Sequence, residues 1–113
     1  MTASCLFCRI ARGEVPSRKA YEDDEVIAFH DINPAAPVHL LLVPKVHVDS
    51  LITTGPEHEA LLGKLTALAP RLAKEQGGVN GFRVVINNGP DGGQEVYHLH
   101  IHILGGPRPW KRL

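Results

Sequence analysis

The sequence predicts an α+β domain built on an antiparallel sheet, and three observations carry that prediction. Five short stretches have strand character, most of them separated by short turn-rich connections. One long stretch repeats apolar residues at helical spacing. One strand, His39 to Pro44, is apolar at nearly every position, so it is buried on both faces and belongs in the middle of the sheet.

Length and charge bound the rest. At 113 residues the chain fits one compact domain, with a core spanning about 5–106 and a tail over 107–113. Twelve Lys plus Arg balance twelve Asp plus Glu, so no basic field points to nucleic acid, and a small specific ligand suits the balance better. No apolar run is long enough for a signal sequence or a membrane span, which makes a cytoplasmic location and no membrane partner the expectation. Neutral charge protects weakly against association, which is compatible with a homodimer. There is no internal repeat or low-complexity segment.

In chain order, Ser4 is placed to cap a short helix from Cys5 to Arg12, which Gly13 ends. Arg18 to Tyr21 and Val26 to His30 read as strands around the acidic, solvent-facing turn Glu22-Asp23-Asp24-Glu25. Asn33, Pro34 and Pro37 break the chain before the buried strand. Thr54 and Glu57 form the pattern of a capping box, with Pro56 in the first turn of the main helix. Leu61, Leu62, Leu65, Leu68, Leu72 and Ala73 form its apolar stripe; Pro70 removes a hydrogen bond and predicts a kink near Thr66, and Gly77 and Gly78 end the helix. Phe82 to Ile86 and Val96 to Leu104 are the last two strands, joined by the loop from Asn87 to Gln94. From Gly105 on, the chain reads as an extended tail.

The final strand carries the chemistry. His98, His100 and His102 alternate with Leu99 and Ile101, so the imidazoles share one face and the aliphatic side chains the other. At about 3.3 Å per residue the outer two histidines lie roughly 13 Å apart, too far for all three to ligate one metal, so the row is divided between tasks. The glycine-rich loop before it is able to turn backbone N–H groups inward as an anion-binding nest, which places a phosphate within reach of His100 and His102. Cys5 and Cys8 are half of a tetrahedral zinc site, with His47 and His98 the candidates for the other half. Two unrelated buried thiols are the alternative, and a redox pair is disfavoured because no strand precedes Cys5. His58 reads as an exposed helix residue and His30 as surface or site rim, while His39, on the buried strand, needs a hydrogen-bond partner.

These segments resemble a known family. His98-Leu99-His100-Ile101-His102-Ile103 followed by Leu104-Gly105-Gly106 resembles the signature of the histidine triad superfamily. Ala28-Phe29-His30-Asp31-Ile32, Ala36-Pro37-Val38-His39, Val43-Pro44-Lys45 and Asp91-Gly92-Gly93-Gln94 resemble its Hint branch of purine nucleoside phosphoramidases, and the likeness runs from Cys5 to about Gly106.

The resemblance implies a homodimer in which two five-stranded antiparallel sheets join, binding purine nucleotides and hydrolysing the P–N bond of nucleoside 5′-phosphoramidates. It implies that His100 is the nucleophile, attacking through one ring nitrogen while a backbone carbonyl holds the other. A nucleotidyl-histidine forms, and water releases the nucleoside monophosphate. His102, the Gly93 backbone and the Gln94 side chain are the implied phosphate contacts, with His39 orienting the triad. Asp31 is implied to accept the ribose hydroxyls, Ile10, Phe29 and Ile32 to hold the base, and Asn87 to bind near phosphate and ribose. Cys5, Cys8, His47 and His98 match a subset of members that hold structural zinc; no catalytic metal is implied. Glu95 stands where many members of the branch have a serine that contacts phosphate, so it is expected to line the site without binding the anion. Dinucleoside polyphosphate hydrolysis or nucleotidyl transfer on the same fold, and a nucleotide-binding interaction protein with little catalysis, are the competing readings.

Overall fold

The computed structural model describes residues 5–111. Their elements are α1 (Leu6–Ala11), β1 (Lys19–Glu22), β2 (Val26–His30), β3 (Val38–Pro44), two 3-10 turns (Leu51–Thr53 and Pro56–His58), α2 (Glu59–Glu75), β4 (Phe82–Val85) and β5 (Ile101–Gly105). The five strands form one sheet in the order β1-β2-β3-β5-β4, every neighbour antiparallel.

β3 is buried at all seven positions because both faces of the sheet are covered. On one face, Val26, Ala28, Leu40, Leu42, Leu99, Ile101 and Ile103 pack against Leu65, Ala69, Leu72 and Ala73 of α2. On the other, Phe7 and Ile10 of α1 pack against Ile27, Phe29, Leu41 and Val43. A helix of six residues has little stability of its own, so α1 depends on that burial and on whatever else ties it down. Among the described residues no helix is long and apolar enough to cross a membrane.

Three local expectations are corrected. The N-cap of α1 is Cys5, whose sulfur accepts the Cys8 N–H at 3.4 Å, while Ser4 lies outside the described residues. Thr54 and Glu57 form no capping box. Ser50 accepts the Ile52 N–H and Thr53 takes the Ser50 N–H, so the chain makes two 3-10 turns and α2 begins only at Glu59. The helix runs on through Pro70, with Leu65, Ala69, Leu72 and Ala73 buried against the sheet on both sides of the missing hydrogen bond. Lastly, β5 begins at Ile101, not Val96. Leu99 gives its N–H to the Val48 carbonyl at 2.6 Å and not to a neighbouring strand, and the stretch before it bends over residues 96–98.

The alternation of side chains survives that change. Leu99, Ile101 and Ile103 still point toward α2, while His100 stacks edge-on against Phe7 on the α1 face. The tail folds back on its own chain: Lys111 N–H bonds the Ala35 carbonyl at 2.8 Å, and the guanidinium groups of Arg108 and Arg83 lie over the Trp110 ring.

Candidate active site and metal centre

The row of histidines is split by the fold into two neighbouring centres. At the first, the capping role of Cys5 and the helical turn to Cys8 bring two sulfurs to one end of α1. His47, in the segment after β3, and His98, just before β5, close around them. The four ligating atoms all lie within 4.8 Å of one another. Sulfur to Nδ1 distances are 3.3 Å for Cys5 to His98, 3.3 Å for Cys8 to His47 and 3.4 Å for Cys8 to His98. A tetrahedral ion with ordinary metal–sulfur and metal–nitrogen bonds would separate such atoms by about 3.5 Å, so the set fits a four-coordinate cation.

The outer nitrogens complete the match. His98 Nε2 donates to the Pro44 carbonyl at 2.7 Å and His47 Nε2 to Asp49 at 2.6 Å, which leaves both Nδ1 lone pairs facing the sulfurs. Burial holds His98 toward its neutral form, the state a ligand needs. Burial, then the Cys5 side chain, pushes the Cys8 thiol up to about 11. A bound divalent cation reverses that preference by stabilising the thiolate.

The second centre contains Asp31, His39 and His102. Their ligating atoms are also within 4.8 Å of one another, yet their hydrogen bonding differs. His39 Nδ1 accepts the Ala35 N–H at 3.0 Å, so in neutral His39 the proton sits on Nε2. That Nε2 lies 2.9 Å from His102 Nδ1 and 3.4 Å from Asp31 Oδ2. An occupied Nε2 has no lone pair for a cation, so this trio is a hydrogen-bond relay. It fixes His102 as the tautomer with its proton on Nε2.

His102 is pushed down to about 4, first by burial and then by His100 and His39, with Asp31 opposing. His39 is lowered by burial, again against Asp31. Unfolded histidine titrates near 6.5, so below that pH the unfolded chain binds protons that the folded site refuses. The stability due to a neutral His102 is therefore whole above pH 6.5 and is lost as pH falls toward 4, by on the order of 3 kcal/mol. Asp23, held low chiefly by Lys64, loses its contribution only in more acid solution. Urea midpoints at pH 7.5 and 4.5 are expected to fall further in the native chain than in His102→Asn; equal falls would remove His102 as the cause.

His100 sits between the two centres. Its Nδ1 donates to the His98 carbonyl at 2.7 Å, so Nε2 keeps its lone pair, and the ring rests against Phe7 at 5.1 Å. It opens on a cleft of about 880 Å³ whose wall includes Ile10, Phe29, Asp31, Ile32, Asn87, Gly93, Glu95, His100 and His102. Nine of the residues expected at the nucleotide thus share one surface. His39 stands behind His102. Ile32 is 92% exposed, at the rim of the cleft and not packed inside it.

Gln94 is placed differently from its expected role as a phosphate contact. Its side chain is buried, Oε1 accepts the Gly89 N–H at 2.9 Å, and Nε2 donates to the carbonyls of Asp49 at 2.7 Å and Val96 at 3.0 Å. With both ends engaged, it braces the glycine loop from inside. Gly92 is required there, because a Cβ would lie 2.3 Å from the Asn88 carbonyl oxygen, and Gly93 has φ +76°. The sequence reading missed Phe7, the partner of the His100 ring, and Arg18, which lines the cleft. The first was legible only as the residue between two cysteines of one short helix; no local pattern marked the second.

The sequence profile of the HIT domain matches residues 12–108, and the chain belongs to this family. It is 57% identical over 104 residues to Protein HitA of Neisseria gonorrhoeae, covering 92% of this chain and 97% of that protein. It is 48% identical over 103 residues to the 14 kDa zinc-binding protein of Zea mays, covering 89% and 80%. The crystal structure of a HIT family hydrolase from Legionella pneumophila superposes with a TM-score of 0.90 at 43% identity, covering 93% of this chain and 95% of that one.

Proposed function

We propose that the protein is a hydrolase of purine nucleoside 5′-phosphoramidates, acting through a nucleotidyl-His100 intermediate. The observation that carries the proposal is the His100 Nδ1 bond to the His98 carbonyl, which turns the Nε2 lone pair to the cleft shared with the glycine loop. The HIT family hydrolase from Legionella supports the reaction class.

In this reading Phe29, Ile10 and Ile32 receive the base and Asp31 the ribose hydroxyls. The Gly93 backbone, Asn87 and His102 Nε2–H approach the phosphoryl oxygens, where charge builds in the transition state. Gln94 acts one step back, by holding the loop. His100 Nε2 bonds to phosphorus as the P–N bond breaks; water then attacks phosphorus and the P–Nε2 bond breaks. Over the two steps one water is consumed, its proton leaving with the amine and its hydroxyl remaining on the nucleoside monophosphate.

Cys5, Cys8, His47 and His98 would hold zinc in a structural role, with all four positions filled by protein. The zinc-binding relative from maize supports this assignment. A homodimer would join sheets at β4, an edge strand whose Phe82 and Val84 are exposed. The covalent step is tested by quenching the protein with adenosine 5′-phosphoramidate in alkaline denaturant, where a P–N bond to imidazole survives, within the first turnover and weighing it at alkaline pH. A mass gain of one adenylyl group on the peptide bearing His100 is expected; turnover with no such species would eliminate the nucleophilic route.

A further inference from the structure

We infer that Glu95 selects the leaving group, and that the preferred phosphoramidates are those whose departing amine carries a second, protonated amine a few bonds from the scissile nitrogen. The inference rests on the phosphoramidase reading above and specifies its substrate class.

Three observations converge. First, Glu95 lines the cleft together with Asn87, Gly93 and His100, so its carboxylate shares the surface with the proposed nucleophile and phosphate loop. Second, Leu6, Glu95 and Val96 also line an adjoining groove of about 400 Å³ that includes Tyr97 and Asp49. A substituent too long for the cleft therefore has a path past Glu95. Third, this carboxylate is uncommitted: Glu95 is exposed, and among the described residues it makes no ion pair or side-chain hydrogen bond. Asp49, the other acid of the groove, already accepts from His47 at 2.6 Å.

Its orientation is set by its neighbour. Gln94 is buried, its N–H bonds the Gly89 carbonyl and its side chain the Val96 carbonyl, which holds the backbone on either side of Glu95 and leaves the Glu95 side chain exposed. A carboxylate fixed beside a phosphate site repels the anion unless a cation intervenes. A leaving group ending in an ammonium supplies that cation, a neutral one does not, and one ending in a carboxylate adds repulsion. Charge at this position therefore discriminates among leaving groups and leaves the nucleoside end unaffected.

The test uses the full chain and three adenosine 5′-phosphoramidates of matched length, made from 1,4-diaminobutane, pentylamine and 4-aminobutyrate. The wild-type kcat/KM is expected to be roughly tenfold higher for the ammonium-bearing substrate than for the neutral one, and lowest for the carboxylate-bearing one. Glu95→Gln should bring the ammonium-to-neutral ratio close to one, Glu95→Asp should keep most of it, and added salt should shrink it in the wild type only. A ratio unchanged in Glu95→Gln overturns the inference even if all three substrates are cleaved. If none is cleaved, the phosphoramidase reading fails separately. Selectivity is then read from the dissociation constants of the three analogues with methylene in place of the scissile nitrogen, and equal constants in wild type and Glu95→Gln overturn it.

Discussion

His100→Ala is expected to lower kcat for adenosine 5′-phosphoramidate by about 10⁴-fold or more while leaving the affinity for AMP within a few-fold of wild type. The imidazole supplies the only atom in the proposed scheme that bonds to phosphorus before water does. Binding rests on other groups: the apolar wall at Ile10 and Phe29, Asp31, and the backbone of the Gly93 loop. The loop does not depend on His100, because Gln94 and the close approach of Gly92 to Asn88 hold it. Steady-state kinetics with calorimetric AMP binding checks both halves. Full activity in the variant would end the covalent proposal. Much faster use of a dinucleoside polyphosphate by the wild type would keep the nucleophile but change the substrate, and tight nucleotide binding without turnover of either would favour an interaction role.

Removing the metal is expected to have the largest effect on stability. Protein purified without a tag should contain about one zinc per chain, and stripping it with a chelator should lower Tm by roughly 10 °C or more. The cation would tie three segments to one another: the start of α1 through Cys5 and Cys8, the segment after β3 through His47, and the approach to β5 through His98. Without it Cys8 would be a buried thiol, and a six-residue helix would be held chiefly by Phe7, Cys8 and Ile10. Phe7 and Ile10 also line the cleft, so nucleotide affinity should fall with the metal. Cys8→Ala is expected to reproduce both losses. Metal-free protein whose Tm ignores chelator would refute the site.

Much of this architecture was legible from local pattern. The nearly all-apolar run of β3 announced a central strand, and the stripe from Leu61 to Ala73 announced the covering helix, because burial of apolar surface imposes those periods. Helix ends were harder. The Leu51 carbonyl takes both the N–H and the hydroxyl of Thr54, so Thr54 is committed to the 3-10 turn that Ser50 caps and does not pair with Glu57. The extent of β5 was misread for a similar reason. The spacing from His98 to His102 is extended throughout, yet a strand needs a neighbour, and Leu99 finds Val48 instead.

The chemical division of the histidines shows where sequence ends and structure begins. Residue spacing alone required the row to serve more than one task, since rise per residue puts the outer rings beyond the reach of one ion. The residues also identified both cysteines and all the histidines involved. Only the tertiary structure decided what each ring nitrogen does. His98 and His47 send Nε2 to oxygen and keep Nδ1 for the sulfurs. His100 sends Nδ1 to a carbonyl and keeps Nε2 for the cleft. His39 accepts at Nδ1 and so cannot present a lone pair at Nε2. The tautomer of an imidazole follows from its hydrogen-bond partners, and Pro44, Asp49 and Ala35 supply those partners from positions that no spacing rule within the motif contains.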